Sequence, residues 1–160
     1  MTDPALPPGL SRETTIRRDA EGRWFHEGDP VTNPAVARAF DRWVARAEDG
    51  RLCLRNEVNW AYVEIEGAPL FVRRVRLRGE SAELELSDER TEPLDPRTLR
   101  QGPDGRLYCT VRQGSLAALL TRRATFDLAE RVGEDENGVF VDLAGDRIHP
   151  PVWADPVDGG

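Results

Sequence analysis

Lysine is absent: all 22 basic side chains among the 160 residues are arginine. That removes Schiff-base chemistry and the phosphate-gripping lysine of P-loops from consideration. Methionine occurs once, and the bias reads as the codon usage of a GC-rich genome, with recognition by arginine as the alternative. Two cysteines make no disulfide framework, and Cys53, Cys109, His26 and His149 stand at none of the close spacings of a metal site. Positive charge is in deficit too. A net charge of −7 argues against general affinity for nucleic acid or anionic membranes. No apolar run approaches the ~18 residues of a membrane span. The start, "MTDPALPPGLSRE", has acids and prolines but no apolar core, so neither a signal peptide nor a transit peptide is expected. These absences point to a cytoplasmic protein with reduced thiols, no cofactor, and neither nucleic acid nor membrane as partner.

What is present is one phrase in three versions: "DGRLCLRN" at 49–56, "DGRLYCTV" at 104–111 and "EGRWFHEG" at 21–28. Glycine supplies a positive φ, and Asp can accept a hydrogen bond from its own backbone two residues on. Each copy therefore reads as a turn feeding a strand whose alternate residues face a core, compatible with an old duplication.

Along the chain, residues 1–12 and 151–160 read as loose tails, with Trp153 able to pin the second. Residues 13–50 read as a subdomain made of a hairpin (14–18 with 23–26) and a helix. Asn33 caps that helix, Pro34 takes its first position, and it runs to Asp49-Gly50 with Val36, Phe40, Trp43, Val44 and Ala47 on one face. Residues 51–150 read as a strand-rich subdomain. Its strands are expected at 51–55, 60–66, 70–78, 81–87, 90–94 and 106–111, with a helical turn at Asp95-Pro96 and a final hairpin at 138–149. A long helix is expected over "SLAALLTRRATFDLAERVG", capped by Ser115, ended by Gly133 and buried along Leu116, Leu119, Leu120, Ala124, Leu128 and Val132. The fold class is α+β, with antiparallel sheets and two main helices.

Candidate chemistry is sparse. Cys53 and Cys109 read as small buried hydrophobes. His26, flanked by Trp24, Phe25 and Glu27, reads as a structural histidine before it reads as a base or ligand contact. In "RRVRLR" at 73–78, a Gly79-Glu80 turn would set Arg76 opposite Glu83 and Arg74 opposite Glu85, a solvated charge ladder and not a nucleic-acid patch. The strand carrying Glu64 and Glu66 would continue the ladder. Arg123 falls beside the stripe of the expected long helix, so its stem should be buried and its head must meet a carboxylate or a ligand anion. With Arg122 and the N–H groups near Gly114-Ser115 it could build an anion cleft; the alternative is an internal salt bridge.

The segments "GRWFHEGDPV" at 22–31, "VEIEGAPL" at 63–70, "GRLYCTV" at 105–111 and "RRATFDLAE" at 122–130 resemble domain-of-unknown-function family 1285, an uncharacterised bacterial family. The likeness spans roughly residues 14–150. A second uncharacterised family, found in bacteria and mitochondria, shares some of these landmarks. The resemblance implies a duplicated α+β core, a C-terminal part superficially like a pleckstrin-homology domain, a cleft between two halves for a nucleotide-like ligand, and a role in signalling. Asn59 and Gly67 stand where that family tends to carry acids.

The leading expectation is thus a non-catalytic binding module that holds a small anionic, nucleotide-like ligand between its subdomains. Trp24, His26 and Tyr108 would serve as stacking surfaces and Arg122 and Arg123 as anion contacts. The alternatives are a protein-interaction domain and, less favoured, an enzyme using His26 or His149.

Overall fold

A computed structural model describes residues 11–157. The chain divides after Pro69 into two compact units, not after Gly50, because the strands that follow Gly50 hydrogen-bond within the first unit.

The first unit holds β1 (Arg17–Arg18), β2 (Trp24–His26), β3 (Asp29–Pro30), α1 (Pro34–Trp43), β4 (Val44–Arg46), β5 (Leu52–Arg55), β6 (Trp60–Tyr62) and β7 (Glu64–Ile65). They form a sheet in the order β3-β2-β1-β7 and a second sheet in the order β4-β5-β6. Asn33 caps α1 as expected, its side chain accepting from the N–H groups of Ala35 and Val36. The helix ends at Trp43, earlier than expected, because Val44 leaves helical geometry and pairs with Leu54. Val44 and Ala47 are buried all the same, alongside Trp24, Cys53 and Leu54. The Trp24 ring meets Phe40 edge-on at 5.3 Å.

The second unit begins with β8 (Leu70–Arg78), β9 (Ser81–Leu86) and β10 (Thr91–Pro93). A 3₁₀ turn capped by Asp95 follows, as expected. Next come β11 (Arg100–Gln101), β12 (Leu107–Val111), β13 (Leu116–Leu120) and α2 (Arg122–Leu128), then β14 (Val132–Asp135), β15 (Gly138–Leu143) and β16 (Asp146–Ile148). The main sheet runs β10-β9-β8-β13-β12-β11, and β14-β15-β16 form a separate one. The architecture is α+β.

The expected long helix is the chief error of the sequence reading. Leu116–Leu120 is a strand in which all five residues are buried, paired antiparallel to β12 and parallel to β8. A central strand covered on both faces is apolar throughout, and such a run imitates a helical stripe. The helix is short and starts at Arg122, capped by Thr121, which accepts from Ala124 N–H. Ser115 instead donates to the Arg112 carbonyl in the preceding turn. Gly133 ends no helix; it lies opposite Phe140 across the β14–β15 pair, where a Cβ would collide with that ring.

The β8–β9 register is the expected one, with Arg76 opposite Glu83, Arg74 opposite Glu85, Val75 opposite Leu84 and Leu77 opposite Ala82. The ion pairs run one step diagonally, Arg76 to Glu85 and Arg78 to Glu83. Glu64 takes no part, since β7 pairs with β1 in the first unit.

The three near-copies are one turn built three times. The N–H of Asp19, Ala47 and Gly102 donates to the carbonyl of Arg23, Arg51 and Arg106, at 2.9, 2.8 and 2.9 Å. Gly22, Gly50 and Gly105 close the turns at φ 90, 89 and 80°. Asp49 and Asp104 each accept from the N–H two residues on, as expected; in the first copy Asp19 fills this role.

The segment after Pro150 is tied down further than a loose tail pinned by Trp153. Pro151 accepts from Gln101 N–H, Trp153 N–H donates to the Gln101 carbonyl, and Arg100 donates to Pro156 O. Among the described residues, no helix is long and apolar enough to cross a membrane.

Candidate functional site

In the second unit, the third copy of the turn, β12, β13 and the start of α2 surround a cavity of about 550 Å³. Its lining is Asp104, Gly105, Arg106, Leu107, Leu120, Arg122 and Thr125. The turn delivers Arg106 at the foot of β12. Tyr108 opposes Leu119 across the ladder, which sets Leu107 beside Leu120 as an apolar wall. Thr121 caps α2, so Arg122 enters the first turn and Thr125 follows one turn later on the same face.

The charges are unusual. The other two turns pair their arginine with a carboxylate, Arg23 with Asp19 and Arg51 with Glu13, both at 2.7 Å. Arg106 and Arg122 meet no carboxylate among the described residues, although both line the same cavity. Asp104 spends Oδ1 on the Arg106 N–H at 3.1 Å. Thr125 donates its hydroxyl to the Thr121 carbonyl at 2.9 Å and so keeps lone pairs for a ligand. Two guanidinium groups, one carboxylate and one hydroxyl oxygen could hold an anion that also carries a hydroxyl.

The five residues expected at a ligand site divide between the units. Arg122 lines the cavity. Tyr108 is half-buried on β12; burial raises its phenol pKa, Asp104 adding to the rise and Arg106 opposing it. Arg123 turns away: its side chain is 61% exposed and reaches Asp127 at 3.3 Å. The expected buried stem fails because the residues before Thr121 are strand, so the buried positions of α2 are Ala124 and Leu128. Trp24 is 3% exposed and donates its Nε1–H to Asp41 at 2.9 Å, which makes it core of the first unit and no stacking platform. His26 is exposed at the end of β2. Arg106 was missed by the sequence reading. The repeated phrase contained it, but in a chain whose every cation is arginine the residue carries no signal until its missing partner is seen.

His149 Nε2 lies 2.9 Å from Asp135 Oδ1, and that contact, ahead of the coulombic pull of Arg147, holds the Asp135 carboxyl below its ordinary range. Neither histidine lines this cavity, nor the cavity of about 280 Å³ around Arg131, Asp142 and Arg147. Cys53 and Cys109 form no disulfide and are fully buried, and burial pushes the Cys109 thiol up to about 12. Among the described residues no three His, Cys, Asp or Glu side chains come together to hold a metal.

No family model matches the sequence, and no curated protein matches it. Two solved structures share its fold. A DUF1285 family protein from Silicibacter pomeroyi DSS-3 superposes with a TM-score of 0.65 at 20% identity, covering 84% of this chain and 79% of its own. A DUF1285 family protein from Shewanella baltica OS155 superposes with a TM-score of 0.57 at 21% identity, covering 75% of this chain and 94% of its own. At these identities the likeness is one of fold.

Proposed function

We propose that this chain is a DUF1285-type binding module that takes a small anionic metabolite in the cavity between Arg106 and Arg122. The shared fold and the four sequence landmarks support the family reading. The observation that carries the ligand reading is the pair of arginines without carboxylate partners in one cavity. Arginine forks match phosphate and carboxylate oxygens bidentately, and such charge-assisted bonds are the strong ones. Asp104 and Thr125 beside them favour an anion bearing hydroxyl groups. The apolar lining is Leu107 and Leu120 with no aromatic ring, so the cavity itself offers a nucleobase no stacking surface. The favoured class is therefore a phosphorylated polyol or sugar, with a nucleotide held by its phosphates as the comparison. Two thiols outside any disulfide and the acidic composition support a cytoplasmic location.

Thermal-shift titrations with inorganic phosphate, glycerol phosphate, a hexose phosphate and adenosine monophosphate test this reading. A ligand at ~100 times its Kd adds about 2.7 kcal/mol of apparent stability, which such a scan resolves. A melting temperature unmoved by all four compounds at millimolar concentration would refute it.

A further inference from the structure

The first unit contains a second cavity that the anion site does not use. It measures about 320 Å³ and is lined by Ser11, Ile16, Phe40, Trp43, Leu54, Asn56, Asn59, Trp60 and Ala61. Its walls are largely aromatic and aliphatic, and among the described residues no acidic or basic side chain lines it. We infer that this cavity is a binding site for a planar aromatic ring carrying a carbonyl or carboxylate oxygen.

The ring preference comes from the walls. Phe40 and Trp43 project from α1 with ring centroids 6.2 Å apart, and Trp60 faces the cavity from β6. At about 320 Å³ the space sits at the lower end of ligand pockets and suits one single or fused ring.

The acceptor preference comes from Asn56 and Asn59, whose remaining groups are donors; the third polar group, the Ser11 hydroxyl, accepts from Glu13 N–H at 3.0 Å and can also donate. Asn56 Oδ1 accepts the N–H groups of Val58 and Asn59, each at 2.8 Å. Asn59 Oδ1 accepts from Arg12 Nη1 at 2.7 Å and from Trp60 N–H at 2.9 Å. Both side-chain oxygens are consumed by the turn, which fixes the amides and leaves their Nδ2 groups to donate. Trp60 Nε1–H is closed off from solvent and meets no acceptor among the described residues. An unsatisfied buried donor is costly, and a ligand whose entry shifts the Trp60 ring and brings an oxygen to the indole N–H would remove that cost. Arg12 lies over the Trp60 ring at 4.0 Å and Arg55 at 5.2 Å, which places two guanidinium groups beside this wall.

The test follows the four tryptophan indole N–H resonances of the full chain by two-dimensional nitrogen–proton NMR. Trp60→Phe assigns the Trp60 peak, and the probes are indole-3-acetate, unsubstituted indole and cyclohexanecarboxylate. Indole-3-acetate is expected to move the Trp60 peak saturably, with indole and cyclohexanecarboxylate each at least ~10-fold weaker. In Trp60→Phe, whose ring keeps the wall, the remaining shifts should need ~10-fold more indole-3-acetate. Arg122→Ala should leave the titration unchanged, which separates this site from the anion cavity. An unmoved Trp60 peak at millimolar indole-3-acetate overturns the inference. Equal response to cyclohexanecarboxylate, or unaltered affinity in Trp60→Phe, overturns it as well.

Discussion

Arg106, at the foot of β12, and Arg122, in the first turn of α2, line one cavity, and neither guanidinium meets a carboxylate among the described residues. The same turn elsewhere in the chain pairs its arginine with Asp19 or Glu13, so the turn alone does not leave an arginine alone. Both side chains belong to exposed residues. Arg106→Ala and Arg122→Ala should therefore each change unfolding free energy by no more than about 0.5 kcal/mol. Each should weaken the phosphate ligand identified by thermal shift at least ~10-fold, since a hydrogen bond to a charged group contributes about 1.5–3 kcal/mol. Calorimetric titration of the two variants, with Arg123→Ala as the control that keeps full affinity, checks the assignment. Loss of affinity in Arg123→Ala alone would put the anion elsewhere.

Asp127, not Arg123, is the electrostatic centre of α2. Its carboxylate accepts from Arg74 Nε at 2.8 Å and from the Val75 N–H at 3.1 Å, and Arg123 adds a contact at 3.3 Å. The bond from Arg74, before any other cause, holds its carboxyl below the ordinary 3.8. A carboxylate with a depressed folded-state pKa stabilises the fold above its unfolded value, and the contribution fades as pH falls through the folded one. Asp127→Asn should cost about 1–2 kcal/mol at neutral pH, by loss of acceptors for an N–H and a guanidinium. It should also flatten the acid limb of the stability curve below pH 3.8. Arg123→Ala, an exposed contact one helical turn away, should cost only about 0.3–0.5 kcal/mol. Urea unfolding across the acid range separates the two variants, and an equal cost for both would return the central role to Arg123.

The elements that sequence makes legible here are those with a local cause. The Asn33 cap, the three glycine turns and the β8–β9 register follow from backbone chemistry and period-two alternation, and the structure reproduces each. Leu116–Leu120 fails because its cause is distant: β8 and β12 flank it, and burial on two faces erases alternation. Arg123 was misplaced as a direct result, since its expected burial was counted from leucines that belong to a strand. At the candidate site, Arg122 was accessible to sequence reasoning only as half of a basic pair, placed in the middle of the expected long helix and not at the start of a short one. Its companion Arg106 was not, because nothing in the phrase "DGR" distinguishes an arginine that finds a carboxylate from one that does not.

The thiols give a clean chemical test of burial. Cys53 sits between Ala45 and Tyr62 across its strand neighbours, and Cys109 opposes Ala118. Both have no solvent-exposed area, and burial holds the Cys109 thiol near 12, far from the thiolate that reacts with disulfide reagents. Neither should react with Ellman's reagent in the native protein at mildly alkaline pH, and both should react in guanidinium chloride. Fast release of one equivalent from native protein would show that one of the two sheets opens readily.

Arg18 should be costly to replace. It has no exposed area, and its two terminal nitrogens donate to the carbonyls of Pro69, at 2.9 Å, and Ala68. Burial lowers its guanidinium to about 10, against the coulombic pull of Asp41 and Asp19, so the charge persists at neutral pH. Two explanations for such an arginine differ in what they predict. If the stem packs and the head is incidental, Arg18→Met should be nearly neutral, since it fills similar space with apolar atoms. If the fork is what matters, Arg18→Met leaves two buried carbonyls unpaired and should cost about 2–4 kcal/mol, close to the cost of Arg18→Ala. Arg18→Lys should recover only part of this, because a compact ammonium does not reproduce the planar fork. The complete burial of Arg18, the donor that both carbonyls share, favours the second outcome, and chemical denaturation of the three variants decides between them.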